Sequence, residues 1–262
     1  MFNQDSNLIV AISGGKDSMS LAKALKELGY KMRAFHMNVN ISEVSQKSQS
    51  IVENFCNKEN IPLKTIELYE QIKASLEDLS KISGKPVCSV CGMMRRYFIN
   101  KEAQEEVIVT GHTLNDEVSF ILKNILFWND ELLARVNPVL QEREGLSRKV
   151  KPLCLISEEE TLAFCKVMNI EYVDEPCPNK PEIYDIFKTT VKGFNDIFPG
   201  SIAGFYKGWL KRSRQFYASY EKYIELKTCQ SCGYPTTSDL CSVCRLKEKL
   251  IQYEDGRGLK SC

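Results

Sequence analysis

An apolar run, Leu8-Ile9-Val10-Ala11-Ile12, leads straight into Ser13-Gly14-Gly15-Lys16-Asp17-Ser18, and a helical pattern continues from Ser18 to Leu28. A strand that turns through paired glycines into a helix is built to hold an anion. Glycine lets the backbone adopt positive φ and approach a phosphate closely. The first-turn N–H groups and the helix dipole then face the negative charge. One exposed charge–dipole contact contributes only about 0.3–1 kcal/mol. Several N–H groups must therefore act together, with Lys16 adding a full charge. The loop is not a Walker A, because G-x-x-x-x-G-K-[ST] does not fit it.

The rest of the chain supplies the frame such a loop needs. Strand-like runs at Asn7–Ser13, Lys31–Asn38, Leu63–Leu68 and Val107–Thr110 alternate with helical patterns at Ser18–Leu28, Glu43–Glu59, Met93–Glu105, Leu114–Phe127 and Ser157–Met168. Ser157-Glu158-Glu159-Glu160 reads as a capping box opening the last helix. Alternation of this kind predicts an α/β fold, a parallel sheet with helices on both faces. Ligands in such folds sit beyond the carboxyl ends of the strands. The Ser13 loop, His36-Met37-Asn38 and Gly111-His112 all fall there.

At 262 residues, 43% hydrophobic and 26% charged, the chain has the size and composition of a large domain with an appendage. No run of 18 apolar residues is present, so no membrane span is expected. The N-terminal residues lack a basic n-region and an apolar h-region, which makes the cytoplasm the expected location. Lys180-Pro181 is expected to end a catalytic core of residues 1–180. A helical basic segment follows over 181–226, broken at Pro199-Gly200 and Gly204. A cysteine module is expected over 227–250, and a loose tail over 251–262.

The net charge of +1 says nothing about nucleic acid, but its distribution does. From Phe187 to Lys227 there are eight basic and three acidic side chains, a net +5, interleaved with Phe205, Tyr206, Trp209, Phe216 and Tyr217. Basic plus aromatic is the composition of an RNA-facing surface. A helix with a solvated basic face and a buried aromatic stripe has the same composition.

Eleven cysteines in a chain without a secretion signal point to metal or catalysis rather than disulfides. Cys229-x-x-Cys232 and Cys241-x-x-Cys244 have the spacing of a tetrahedral structural zinc site. So small a module cannot bury a core, and zinc binding in finger peptides is worth about 10–16 kcal/mol. Cys88-Ser89-Val90-Cys91 stands alone and could equally be a redox dithiol or half a zinc knuckle. Cys177 follows a candidate strand, Ile170–Val173, and three thiolates suit a cubane cluster with one iron left open. No histidine is near either segment in sequence. Cys56, Cys154 and Cys165 fall on apolar patterns and are expected as buried packing residues. Cys262 is terminal.

Ser13–Ser18 resembles the PP-loop of the ATP pyrophosphatase superfamily, whose members split ATP between the α and β phosphates and adenylate a carbonyl oxygen. Taken in order, Ser13–Ser18, Cys88-Ser-Val-Cys-Gly with Arg96-Tyr97, Gly111-His112 with Asp116-Glu117, Lys151-Pro152-Leu153, Cys177-Pro178 and the four-cysteine knuckle resemble the TtuA-type tRNA 2-thiouridine synthetases. The resemblance implies an ATP-dependent tRNA sulfurtransferase that adenylates a uridine C2 carbonyl and replaces its oxygen with sulfur. It implies ATP and Mg²⁺ at Ser13, Gly14, Gly15, Lys16, Asp17, Ser18, His36, Asn38, Gly111 and His112. Lys16, Asp17, Arg95 and Asp116 are the implied catalytic residues, with Asp17 or Asp116 on Mg²⁺ and Arg95 or Arg96 on phosphate or sulfide. It further implies a [4Fe-4S] cluster on Cys88, Cys91 and Cys177, and Zn²⁺ on Cys229, Cys232, Cys241 and Cys244. Implied partners are tRNA and a sulfur donor, sulfide or a thiocarboxylated ubiquitin-like carrier. A homodimer through the zinc region is implied as well.

The sequence departs from that pattern in three places. No zinc finger precedes the first strand. Asn115 stands where the family has a second carboxylate before Glu117. Arg95 stands where the family tends to have Lys, and an arginine stays charged whatever its surroundings. The departures open an alternative, a PP-loop adenylating sulfurtransferase or ligase acting on a non-tRNA acceptor.

Overall fold

The computed structural model describes residues 1–220 and 225–258. Cys262 and the basic-segment residues Glu221 and Lys222 lie outside the described residues. In chain order the elements are β1 (Leu8–Ala11), α1 (Lys16–Glu27), β2 (Met32–Asn38), α2 (Glu43–Glu59), β3 (Leu63–Glu67), α3 (Leu68–Ile72), α4 (Leu76–Ser83), α5 (Val87–Ala103), β4 (Val107–Thr110), α6 (Leu114–Leu126), α7 (Asp130–Leu133), β5 (Val139–Leu140), β6 (Lys149–Val150), α8 (Glu158–Val167), α9 (Glu182–Ile197), α10 (Ser201–Tyr217), β7 (Lys227–Thr228), β8 (Pro235–Thr236) and α11 (Ser242–Gly258).

Strand side chains alternate between sheet faces. Leu8 and Val10 therefore pack with Met19, Leu25 and Val52 on one side, and Ile9 packs with Phe35, Leu79 and Met94 on the other. Both faces are covered, so the sheet strands read as continuous apolar runs. The six-stranded sheet has the order β3-β2-β1-β4-β6-β5. All its pairings are parallel except β5 with β6. Connections leave β1 toward β2 and leave β4 toward β6, so the order reverses between β1 and β4. A crevice opens at the carboxyl ends of the strands flanking such a reversal. Ser13 and Gly111 stand at those ends.

The described elements confirm the α/β reading and correct some details. Ile170–Val173 is not a strand. The edge of β6 is already taken by β5, and Val173 N–H instead donates to the Gly14 carbonyl at 2.9 Å. Gly204 lies inside α10 and does not break it. Residues 251–258 continue α11 rather than forming a loose tail; residues 259–262 lie outside the described residues. Helix α5 begins at Val87, behind Pro86, so Cys88 and Cys91 sit in its first turns rather than before it. Cys56, Cys154 and Cys165 are buried, as expected of packing residues.

The four-cysteine module is not free-standing. Cys229, Cys241, Cys244, Val243, Leu246 and Leu250 share one apolar cluster with Leu76, Leu79, Val90 and Met94 of α4 and α5. The Tyr234 and Tyr97 rings meet at 4.8 Å. A third cluster joins Val118 and Ile121 of α6 to Val191 of α9 and Ile202 and Tyr206 of α10. The basic segment is thereby fixed to the helix that follows β4.

Candidate active site

Gly14 has φ +84°, and a Cβ there would come within 2.5 Å of Ser48 Oγ. Ser48 in turn donates to the Ser13 carbonyl. Ser18 Oγ accepts from Ser13 N–H at 3.1 Å and donates to the Gly15 carbonyl at 3.0 Å. The loop is thus closed on itself, with Ser13 and Gly15 N–H donating to the Ser18 and Ser13 hydroxyls. Gly111 packs on the first turn of α1, where a Cβ would lie 3.0 Å from the Ser18 backbone. Only glycine lets β4 approach the loop this closely.

A cavity of about 490 Å³ lies over the loop. Of the residues predicted from sequence, Ser13, Gly15, Asp17, Ser18, Arg95, Gly111, His112 and Asp116 line it. Its size and its glycine-walled floor fit a nucleotide. Phe35, Met37, Ile99, Arg96 and Lys149 also line it; of these, Met37 and Arg96 were named from the sequence and Phe35, Ile99 and Lys149 were not. Burial, with Lys151 and Arg96 nearby, pushes Lys149 down to about 8. Burial and Lys151 push His112 down to about 4, so its imidazole is neutral at pH 7. Burial is the larger cause in both, and the remaining push comes from Lys151 and Arg96, positive charges that a polyanion would offset.

His36 and Asn38 do not line this cavity. They line a neighbouring one of about 250 Å³, together with Ser42, Ser48, Arg95 and Cys177. His36 Nδ1 lies 2.9 Å from the Ile12 carbonyl and must be the protonated nitrogen, and Nε2 is buried without a partner. A histidine is therefore close to Cys177 in space, though distant in sequence.

Lys16 does not reach into the nucleotide cavity. Its Nζ lies 2.8 Å from Asp17 and 3.7 Å from Glu158. Asp17, Asp116 and Glu158 place carboxylate oxygens within 4.8 Å of one another. Lys188 of α9 pairs with Asp116 at 2.7 Å and with Glu158. Burial opposes the Asp116 charge, but Lys188 outweighs it and holds the carboxyl below its ordinary value. Burial raises Asp17, opposed by Lys16 and Thr161. Three hard oxygen donors beside a phosphate site fit Mg²⁺. Glu158 and Lys188 were not foreseen. Glu158 was visible only as part of a capping box, which Ser157 and Glu160 do form. Asn115 accepts from the Glu158 N–H at 3.0 Å. Its amide anchors the start of α8.

The two cysteine sets differ in geometry. The sulfurs of Cys229, Cys232, Cys241 and Cys244 all lie within 4.8 Å of one another, with Cys232 and Cys241 at 3.7 Å. Zinc–sulfur bonds of about 2.3 Å give a tetrahedral edge of about 3.8 Å, so the four thiols fit zinc. Burial opposes ionisation of Cys229, but N–H donors of Cys241, Cys232 and Ser231 outweigh it and bring the thiol to about 6. Tyr97 of α5 donates its hydroxyl to Cys232.

Cys88 and Cys91 lie one turn apart on α5, and Cys177 comes from the loop before α9. Cys88 Sγ donates to the Asn179 carbonyl at 2.7 Å, and Arg95 Nε donates to Cys91 Sγ at 3.4 Å. Burial first, then the charges of Cys177 and Cys91, raise the Cys88 thiol. These three do not close to within 4.8 Å as a single-ion site would; among the described residues, the four-cysteine knuckle and the carboxylates are the groups that do so. Thiolates on different irons of a cubane stand farther apart than ligands of one ion. Three neighbouring thiols, of which Cys177 lines the smaller cavity, fit such a cluster.

The PP-loop domain family matches residues 2–185. The chain is 38% identical over 256 residues to the tRNA-5-methyluridine(54) 2-sulfurtransferase of Thermotoga maritima, covering 95% of this chain and 83% of that one. It is 34% identical over 249 residues to the enzyme of the same name from Pyrococcus horikoshii, covering 94% and 79%. Among solved structures it resembles the U34-tRNA thiolase NcsA from Methanococcus maripaludis, which carries a [4Fe-4S] cluster. The TM-score is 0.78 at 22% identity over 95% of this chain and 82% of that one, a likeness of fold. The chain belongs to the PP-loop family, among the tRNA 2-sulfurtransferases.

Proposed function

We propose that this protein is an ATP-dependent tRNA 2-sulfurtransferase whose target is the 5-methyluridine at position 54, the base named for its relatives from Thermotoga and Pyrococcus. One observation carries the reading. Arg95 lines both the nucleotide cavity and the cavity at Cys177, while its Nε touches Cys91. The adenylation and sulfur ends of the reaction thus share one wall.

In the reaction the uridine C2 oxygen bonds to the α-phosphorus and pyrophosphate leaves. Sulfur then bonds to C2, and AMP departs with the oxygen. The loop N–H groups and the α1 dipole hold the phosphates. Lys149 and Arg96 neutralise them from the opposite wall, a preorganised electrostatic role. Asp17, Asp116 and Glu158 would hold Mg²⁺, with Lys16 and Lys188 keeping the carboxylates in place until it binds. Cys88, Cys91 and Cys177 would hold the [4Fe-4S] cluster, which supplies an open iron to carry sulfur. Arg95 cannot act as acid or base; it offsets negative charge where the two cavities meet. The donor is sulfide or a thiocarboxylated carrier.

Residues 1–180 form the catalytic domain in this reading, with Lys188 reaching back into it from the basic segment 181–226. The knuckle, 227–250, supports α5 through zinc. No described helix is long and apolar enough to cross a membrane. The site of action is the cytoplasm, where tRNA and reduced thiols are found together.

The test is anaerobic reaction of the purified protein with unthiolated tRNA carrying 5-methyluridine at position 54, ATP and sulfide, followed by nucleoside mass spectrometry. The expected product is 2-thio-5-methyluridine at position 54, with one AMP per thiolated base. Pyrophosphate release without thionucleoside would move the reading to a non-tRNA acceptor.

A further inference from the structure

We propose that the solvent face of α10 is where the tRNA docks, with bases stacked in the groove between α10 and Trp128. The inference rests on the function proposed above and adds to it the surface that receives the RNA.

Lys207, Lys211, Arg212 and Arg214 are all exposed on α10, a helix with no carboxylate. None of them forms an ion pair among the described residues. The lysines of α9 behave differently: Lys188 and Lys192 are paired with Asp116 and Asp196. Four uncompensated cations on one helix suit a phosphate backbone.

Arg212 stands among flat rings, while Lys207, Lys211 and Arg214 lie a third to half of the way round the helix from them, at about 100° per residue. Phe205, Trp209, Arg212 and Phe216 follow helical spacing and form one stripe. With Trp128, Tyr220 and one carboxylate, Asp130, they line a groove of about 500 Å³. Trp128 is 83% exposed, Phe216 68% and Phe205 42%. Aromatic faces interleaved with cations are how single-stranded RNA is held, because every base offers a π-face. A second copy of this chain is disfavoured as the occupant. Two-fold pairing sets the same patch against itself, and here it would set α10, whose four cations have no carboxylate on the helix, against its own copy.

The helix that bears the groove also packs against the active-site helix. Tyr206, on the buried side of α10, donates to Glu117 at 3.2 Å, and Glu117 follows Asp116 on α6. Ten residues of helix separate Tyr206 from Phe216, about 15 Å. RNA lying along α10 would therefore reach the carboxylate cluster within a few nucleotides.

The test measures binding of fluorescent unmodified tRNA to the full-length, metal-replete protein across a salt series. Two variants are compared with the wild type. K211E/R212E reverses charge on the surface. G204L fills the groove at a position where a Cβ would meet nothing within 4 Å. Each is expected to weaken tRNA at least tenfold, while ATP affinity and sedimentation stay unchanged. The salt slope should flatten by about 1.5 for the double variant, which loses two phosphate contacts. Variants that bind tRNA within twofold of wild type overturn the proposal. A change in sedimentation with intact tRNA binding also overturns it and makes the face an interface between copies. A wild type that binds no tRNA at any salt removes the proposed function itself, which is a different result.

Discussion

The two cysteine sets use the same ligand chemistry for opposite ends. The knuckle is closed: its four sulfurs converge, backbone N–H groups donate to them, and three of the four cysteines are buried. The Cys88, Cys91 and Cys177 set is open, with Cys88 and Cys91 half-buried and Cys177 exposed and lining the smaller cavity. A closed set can only hold structure, whereas an open one leaves room for a reactant. They are joined through α5, which gives Tyr97 to the knuckle and Cys88, Cys91 and Arg95 to the site. Metal in the first would therefore act on the geometry of the second.

Breaking each set separately should give opposite signatures, and the largest effect belongs to the closed one. Cys241→Ser removes one of the four thiols proposed to hold zinc, in a module that shares its core with α4 and α5. It is expected to lower Tm by about 10–20 °C and to abolish thiolation, because several kcal/mol of metal-coupled folding energy is lost. Cys177→Ser is expected to abolish thiolation equally, with Tm within about 2 °C of wild type and ATP affinity unchanged. Calorimetry beside nucleoside mass spectrometry separates the two. If Cys177→Ser costs as much stability as Cys241→Ser, the open set is structural and the contrast is wrong.

Arg95 sharpens the contrast, since it is the side chain common to the nucleotide cavity and the open cysteines. Arg95→Met should reduce single-turnover thiolation about 100-fold, the usual loss when a preorganised donor is removed from a charged site. Its KM for ATP should move less than threefold, and Tm hardly at all. Rapid-quench measurement of product per turnover checks it. An ATP KM raised as far as the rate falls would assign Arg95 to nucleotide binding alone.

What sequence disclosed and what it hid follow the same division between local and distant. The loop from Ser13 to Ser18 and the paired Cys-x-x-Cys motifs are local patterns, where spacing alone dictates geometry. The helix start at Pro86 is also local, as is the Ser75 cap of α4, whose Oγ accepts from Asp78 N–H at 3.1 Å. Both are signals of ordinary kind, masked by the cysteines and by the short apolar runs around them. Lys149, Glu158 and Lys188 could not have been found this way. They arrive from a two-residue strand, a helix cap and the first helix beyond Pro181. Only the fold brings them to the loop. Asn115 looked like a lost carboxylate, and its place is at the α8 N–H, outside the nucleotide cavity.

The smallest effect separates the sets by pH. Burial holds Lys149 at about 8, against an ordinary lysine value of 10.5. A depressed lysine favours the folded state only once it is neutral. Its unfolded form binds more protons between pH 8 and 10.5, so stability should rise with pH across that window. ATP reverses the preference, because phosphate favours the charged ammonium. Affinity for ATP should therefore weaken by about fivefold from pH 7 to pH 9, with proton uptake on binding that grows over the same range. Calorimetry in buffers of different ionisation enthalpy reads the uptake directly. Lys149→Arg stays charged and should flatten both trends. The zinc set, which gains nothing from Lys149, should release zinc to a chelator at the same rate throughout. A chelation rate that follows the ATP profile would mean the two sets answer to one titration, and the separation between a closed and an open site would fail.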